Sequence, residues 1–259
     1  MRSDVPARAR YQWTLLLAAV QALTRIPVTI PFGPDTLRDA TRYMPLVGLG
    51  VGIVTATVFA AARTGLPPVP AALLAVAATL LLTGALHEDG LADCSDGLGG
   101  GRTRTDALRI MRDSRIGVFG ALALVLAIGI KATCLATLAH PAPALIAAAA
   151  ASRFWTVLPP ALLPYARESG MAAGVSAPGA RNLVVAGLIG LAPLLLLGPR
   201  AIPALLLPGL AALAFGAYAR RRLGGYTGDV LGATQQLTEL AVLLTALWHP
   251  IPDGPWLAA

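Results

Sequence analysis

Seven segments of this chain stay apolar for about 20 residues at a stretch, the length an α-helix needs to cross the ~30 Å hydrocarbon core of a bilayer. They run roughly Tyr43–Ala62, Val69–Leu86, Gly117–Ala139, Ala142–Leu163, Asn182–Gly198, Ala201–Ala219 and Gly232–Trp248. Pro67-Pro68, His140-Pro141, Pro164, Pro199 and Gly224-Gly225 punctuate them. Of the 259 residues 56% are hydrophobic and 13% charged, a composition foreign to soluble domains. The expected fold is therefore all-α: a polytopic integral membrane helical bundle of about seven transmembrane helices, forming a single membrane-embedded domain over residues 1–259. The apolar stretch Leu15–Leu23 is too short to span and ends in Thr24-Arg25-Ile26-Pro27. It is expected as an N-terminal interfacial or re-entrant helix, and it lacks the small-residue cleavage site of a signal peptide.

A formal charge of +7 would suggest nucleic acid in a soluble protein, but no nucleic-acid-binding pattern is present. The positive charge is instead sorted between the two sides of the bundle. With seven spans, all but four of the 20 Lys and Arg fall on one side, which the positive-inside rule makes cytoplasmic. The exceptions are Arg63 and Arg200 on the other side, and Lys131 and Arg153 within spans. The cytoplasmic loops then hold every chemically interesting connection, in a multi-pass protein of the cell (inner) membrane. Cys94 and Cys134 make neither a disulfide framework nor a zinc site and read as small hydrophobes.

His87-Glu88-Asp89-Gly90-Leu91-Ala92-Asp93-Cys94-Ser95-Asp96-Gly97 is the densest acidic cluster. Asp89, Asp93 and Asp96 are spaced four and three apart, so on a helix they share a face about one turn from one another. Unpaired anions so close repel, and a hard divalent cation with oxygen ligands relieves that repulsion. Mg²⁺, shared with substrate phosphates, is the expected cofactor, with Asp89, Asp93 and Asp96 as its ligands. The interleaved glycines let a ligand approach the backbone.

Further along, Arg112-Asp113-Ser114-Arg115 falls at the mouth of the third span, where guanidinium groups can clamp phosphate oxygens. Acidic metal ligands facing such clamps suit transfer of a phosphoryl group from a diphosphate. Charges within spans are costly and mark function by default. Arg153 is on that ground a candidate substrate-binding residue, and Lys131 a partner for a carboxylate elsewhere. Glu239, with Gln235, Gln236 and Thr238, makes a polar stripe in the last span, which should face a cavity rather than lipid.

Three motifs in order resemble the cobalamin synthase (adenosylcobinamide-GDP ribazoletransferase) family: His87 to Gly100, Met111-Arg-Asp-Ser-Arg-Ile-Gly117 and Gly224-Gly-Tyr-Thr-Gly-Asp-Val-Leu-Gly-Ala233. Leu23 to Pro27 and Pro45 to Gly48 are similar to the family's N-terminal pattern. Arg112 stands where a lysine is common, and Tyr226 where a histidine is frequent. The resemblance implies an integral membrane enzyme that condenses adenosylcobinamide-GDP with α-ribazole or its 5′-phosphate, releases GMP and depends on Mg²⁺. The expected catalytic residues are Asp96, Arg115 and Asp229. Arg112, Ser114, Arg153, Gly228 and Glu239 are expected to bind substrate. The lipid bilayer and other late cobalamin-pathway enzymes are expected partners. A CDP-alcohol phosphotransferase is the alternative enzyme, although its second run of spaced aspartates is missing after Asp96. An ion-coupled transporter is the non-enzymatic alternative, although no repeated halves are visible.

Overall fold

A computed structural model describes residues 7–30, 33–167 and 177–248. Arg2, one of the sorted charges, and much of the Pro164–Arg181 connection lie outside the described residues. Within them the chain is helical, and the expected membrane bundle is present. The N-terminal helix α1 (Ala7–Leu23) buries Leu15, Ala18 and Ala19 against α2 (Pro34–Ala40) and α3 (Met44–Arg63), while Trp13 stays exposed. A short 3₁₀ turn, Thr41–Tyr43, joins α2 to α3.

Five helical stretches among the described residues are long and apolar enough to cross a membrane, and a bent pair makes a sixth. The pair is α4 (Pro68–Thr83) and α5 (Leu86–Gly100), which meet at 91°. The expected straight span Val69–Leu86 is corrected here. Gly84 (φ 67) and Ala85 (φ 55) are both left-handed, so the helix ends at Thr83 and the acidic motif forms a helix of its own. The Arg25 side chain packs where a Gly84 Cβ would sit. Then follow α6 (Arg104–Ile110), α7 (Val118–Thr137), α8 (Pro141–Trp155) and α9 (Leu158–Leu162).

Residues Ala180–Leu223 are helical over 44 residues. Unbroken, that would extend about 66 Å, twice the hydrocarbon thickness. It is broken instead: α10 (Ala180–Leu191) runs into a 3₁₀ segment, Ala192–Arg200, where Gly198 (φ 58, ψ −129) is not helical. Asn182, at the start of α10, donates to the Arg38 carbonyl (3.3 Å) and to Asp39 Oδ1 (3.0 Å). Arg200, at the far end, donates to the Trp248 carbonyl (3.0 Å), just past the end of the last helix. So the chain crosses with α10, turns at Gly198 and returns as α11 (Ala201–Leu223) before the last helix, α12 (Gly228–Leu247).

Small residues bring the helices together, as packing in lipid requires. A Cβ on Gly52 of α3 would lie 2.8 Å from Ile146 Cα and 2.9 Å from the Leu145 carbonyl oxygen of α8. The wall of α8 toward the interior is alanine: Ala144, Ala147, Ala148 and Ala151 are buried. Leucine and valine side chains of α7 and α11, such as Leu122, Val125, Leu126 and Leu210, point outward instead. Gly52→Ala is expected to cost about 1–3 kcal/mol through overpacking. Gly50→Ala, with no neighbour within 4 Å, should leave stability unchanged or slightly raised. Thermal unfolding of both variants in one detergent checks this.

Candidate active site

The acidic helix α5 and the loop between α6 and α7 form the two walls of a cleft of ≈ 370 Å³. From α5 come Glu88, Asp89, Asp93 and Asp96; from the loop come Arg112, Asp113, Ser114 and Arg115. The expected acid-against-guanidinium pairing is thus present in space. The carboxylates of Asp89 and Asp93 make no hydrogen bond or ion pair with other described residues, whereas that of Asp96 does. Its Oδ2 accepts from Gly117 N–H (2.7 Å) and its Oδ1 from Gly120 N–H (2.8 Å), so it caps the start of α7, where the helix dipole favours an anion. A Cβ on Gly117 or Gly120 would fall 2.4 or 2.3 Å from that carboxylate. The two glycines are the condition for the cap.

This divides the expected triad. No three His, Cys, Asp or Glu side chains among the described residues gather closely enough to enclose a metal. One turn of helix separates Asp89 from Asp93, and Asp96 is drawn aside to α7. Asp229 approaches Asp93 from α12 without lining the cleft. The backbones of α5 and α12 touch where a Gly90 Cβ would lie 2.9 Å from the Asp229 carbonyl oxygen and 3.1 Å from Gly232 Cα. Asp229, Asp89 and Asp96 all act electrostatically on Asp93, as does Arg167. Two unpaired carboxylates beside a phosphate-sized cleft, with a third approaching, are a donor set that fits a hard divalent cation supplemented by water and phosphate oxygens.

Asp229 is held by the loops around it. Thr227 caps α12 by accepting from Val230 N–H (3.3 Å), and its hydroxyl also meets Asp229 Oδ2 (3.2 Å). Arg167 donates to the same Oδ2 (2.6 Å), while Oδ1 has no partner among the described residues. The backbone brings Arg167 there: Tyr226 N–H donates to the Pro164 carbonyl (2.9 Å) and Ala166 N–H to the Tyr226 carbonyl (2.8 Å). Gly225 is required, since a Cβ would lie 2.0 Å from the Pro164 oxygen. Gly228 opens α12 beside Asp229 and does not line the cleft.

On the loop wall, Arg115 grips Asp113 through Nε (3.0 and 3.2 Å), Nη2 (2.7 Å) and its backbone N–H (3.1 Å). Those hydrogen bonds, side-chain first and then backbone, hold the Asp113 carboxyl at about 2, below the ordinary 3.8. Arg112 and Ser114 have no such partner among the described residues and line the cleft. Arg104 and Arg222 lie apart from the chemistry and close loops, Arg104 on the Leu223 (2.7 Å) and Ala166 (3.0 Å) carbonyls and Arg222 on Gly101 (2.6 Å).

A family model described as cobalamin-5-phosphate synthase matches residues 15–247. The chain belongs to the cobalamin-5-phosphate synthase family. It is 45% identical over 239 residues to the adenosylcobinamide-GDP ribazoletransferase of Bradyrhizobium diazoefficiens, spanning 89% of this chain and 92% of that one. It is 48% identical over 242 residues to the protein of the same name from Ralstonia nicotianae, spanning 90% and 94%. No solved structure matches it.

Two expected substrate-binding residues of this family member lie inside the bundle rather than in the cleft. Arg153 is 1% exposed and donates from Nη1 to the Ala149 carbonyl (3.0 Å), with its alkyl stem against Gly48. Glu239 is 7% exposed and pairs with Lys131 (3.4 Å). Sequence reasoning passed over Arg167 and Glu88. Arg167 had a weak signal, one arginine after the Pro164-Tyr165-Ala166 run. Glu88 had none beyond its place next to Asp89.

Two outcomes follow from the loop wall. Asp96→Asn keeps one acceptor oxygen but sets an amide NH₂ against a backbone N–H, so it should cost about 1–3 kcal/mol in thermal unfolding. The depressed Asp113 titration means the Arg115 contact is complete above the ordinary carboxylate range and is lost as pH falls through about 2. Arg115→Ala should return that titration toward 3.8, as read by carboxyl-carbon NMR.

Proposed function

We propose that this chain is an integral membrane transferase that joins adenosylcobinamide-GDP to α-ribazole or α-ribazole 5′-phosphate and releases GMP, a late step of cobalamin biosynthesis. The observation that carries the reading is the cleft in which unpaired Asp89 and Asp93 face Arg112, Ser114 and Arg115, in a member of a family whose relatives bear that activity in their name. The arginine-rich face on which it opens is read as cytoplasmic, in the inner membrane. A cleft of ≈ 370 Å³ takes a diphosphate and its immediate neighbours. A corrinoid is far larger and stays at the mouth, on the open face.

In this reading Asp89 and Asp93 would hold Mg²⁺, which when bound would neutralise the diphosphate and polarise the phosphorus under attack. Arg112 and Arg115 donate to the phosphoryl oxygens as charge develops, and Ser114 adds a hydroxyl donor. Asp229 Oδ1 has no partner among the described residues while Arg167 fixes Oδ2, so in this reading Asp229 orients the acceptor hydroxyl and takes its proton. Asp96, with both oxygens on backbone N–H groups, acts by setting the loop that carries the arginines. The hydroxyl oxygen forms its bond to the cobinamide-side phosphorus as the bond from that phosphorus to the GMP oxygen breaks in line. The charges within spans, Lys131, Arg153 and Glu239, are buried in the bundle, where Lys131 pairs with both Glu88 and Glu239.

The test is turnover by purified protein in lipid, with adenosylcobinamide-GDP and α-ribazole 5′-phosphate, with and without Mg²⁺. GMP release with the corrinoid product is expected only with the cation. Asp89→Ala should lower it about 100-fold or more and Arg112→Ala about 10- to 100-fold. Absence of product from folded, lipid-embedded wild type would overturn the reading. Full activity of Asp89→Ala would overturn the metal assignment alone.

A further inference from the structure

The mechanism leaves unused the one lysine of the chain. Lys131 lies well inside α7, thirteen residues past Val118 and so about 20 Å along the helix. Its Nζ stands 3.3 Å from Glu88 Oε1 of α5 and 3.4 Å from Glu239 Oε2 of α12, and all three side chains are less than a tenth exposed. The pair of carboxylates is fastened further by α12's own amides. Gln236 Nε2 donates to Glu88 Oε1 (2.9 Å) and to Gln235 Oε1 (2.7 Å). Gln235 Nε2 in turn donates to Glu239 and to Ser152 Oγ of α8 (3.0 Å). Four helices therefore meet on a single buried polar cluster, in which Glu88, Glu239, Lys131 and nearby Arg153 sum to no net charge.

Helix α5 is seated by the Gly90–Gly232 contact with α12, by buried Leu91, Cys94 and Leu98 and by the Asp96 cap on α7, and the buried cluster is the charged anchor at its N-terminal end. Its link to α4 is a pair of left-handed residues, Gly84 and Ala85, and it carries glycine at 90, 97, 99 and 100. At about 100° per residue, Asp89, Asp93 and Asp96 all lie about 80–140° round the helix from Glu88. Fixing Glu88 therefore fixes the bearing of all three carboxylates. A small rotation of α5 would swing Asp89 and Asp93 along the cleft wall and pull Asp96 from α7.

We infer that Lys131 is a positioning residue: by bridging Glu88 to Glu239 it locks the rotation of α5 and so aims Asp89 and Asp93 into the cleft. Only the activity arm of the test rests on the proposed transferase reading. Removing the ammonium alone strands two buried carboxylates, which confounds positioning with folding. The decisive variant is the charge-balanced Lys131→Met/Glu239→Gln. It leaves Glu88 on Gln236 but without its ammonium anchor.

In lipid nanodiscs, hydrogen exchange read by mass spectrometry should show peptides over 86–100 exchanging at least tenfold faster in this double variant, with α3 and α8 unchanged. Its kcat should fall at least tenfold with KM for the donor within about threefold, and Lys131→Arg should restore both readouts toward wild type. Wild-type exchange over 86–100, or loosening spread evenly over all helices, would overturn the inference, as would a Lys131→Arg no better than Lys131→Met. Should the double variant not fold, Glu88→Gln, which keeps length and the Gln236 contact, gives the same two readings from the other end. Local loosening of α5 with a wild type that makes no product would sink the transferase reading and leave the positioning role standing.

Discussion

The backbones of α5 and α12 touch at two glycines, and the rest of the site depends on that contact. With no side chain on Gly90 or Gly232, the acidic helix lies directly against the first turns of the last one; a Cβ on Gly232 would be 3.2 Å from Gly90 Cα and from the His87 carbonyl oxygen. Any larger residue would separate Asp229 from the Asp89–Asp93 face. The same approach brings Glu88 within reach of Gln236 and, through Lys131, of Glu239.

A bilayer makes such an arrangement demanding. Backbone groups in hydrocarbon must be satisfied within the protein, and charges must be matched. Helix α5 meets both demands while carrying four acidic residues. Glu88 is neutralised in the interior, Asp96 is held by the free N–H groups of α7, and Asp89 and Asp93 open into the cleft. The two left-handed residues after α4 give the chain the right-angle turn that separates a lipid-facing segment from this polar one. The candidate site is thus concentrated on a helix too polar to span by itself and kept in place by its neighbours.

The loops are arranged to the same end. Thr103 caps α6 by accepting from Asp106 N–H (3.1 Å), and the Pro164–Arg167 strand-like stretch pairs with Tyr226. Arginines at these places serve carbonyl groups as well as the expected phosphate, which is why a count of positive charges alone does not tell Arg104 or Arg222 from Arg112. Arg167 differs from them in meeting a carboxylate of the site.

Hydrophobic period and length determined the bundle, because spans in lipid must be helical and about 20 residues long. Motif chemistry likewise determined that Asp89, Asp93 and Asp96 share a helix face with arginines nearby, since the i, i+4, i+7 spacing is local geometry. Tertiary structure alone decided what each carboxylate contacts. The cap on α7 that occupies Asp96, the approach of Asp229 and the burial of Arg153 and Glu239 away from the cleft all join residues distant in the chain. So does the turn at Gly84–Ala85, where Val69–Leu86 reads as one apolar run. Hydropathy carries no direction, and a bend becomes visible only when the helix on its far side has somewhere polar to pack.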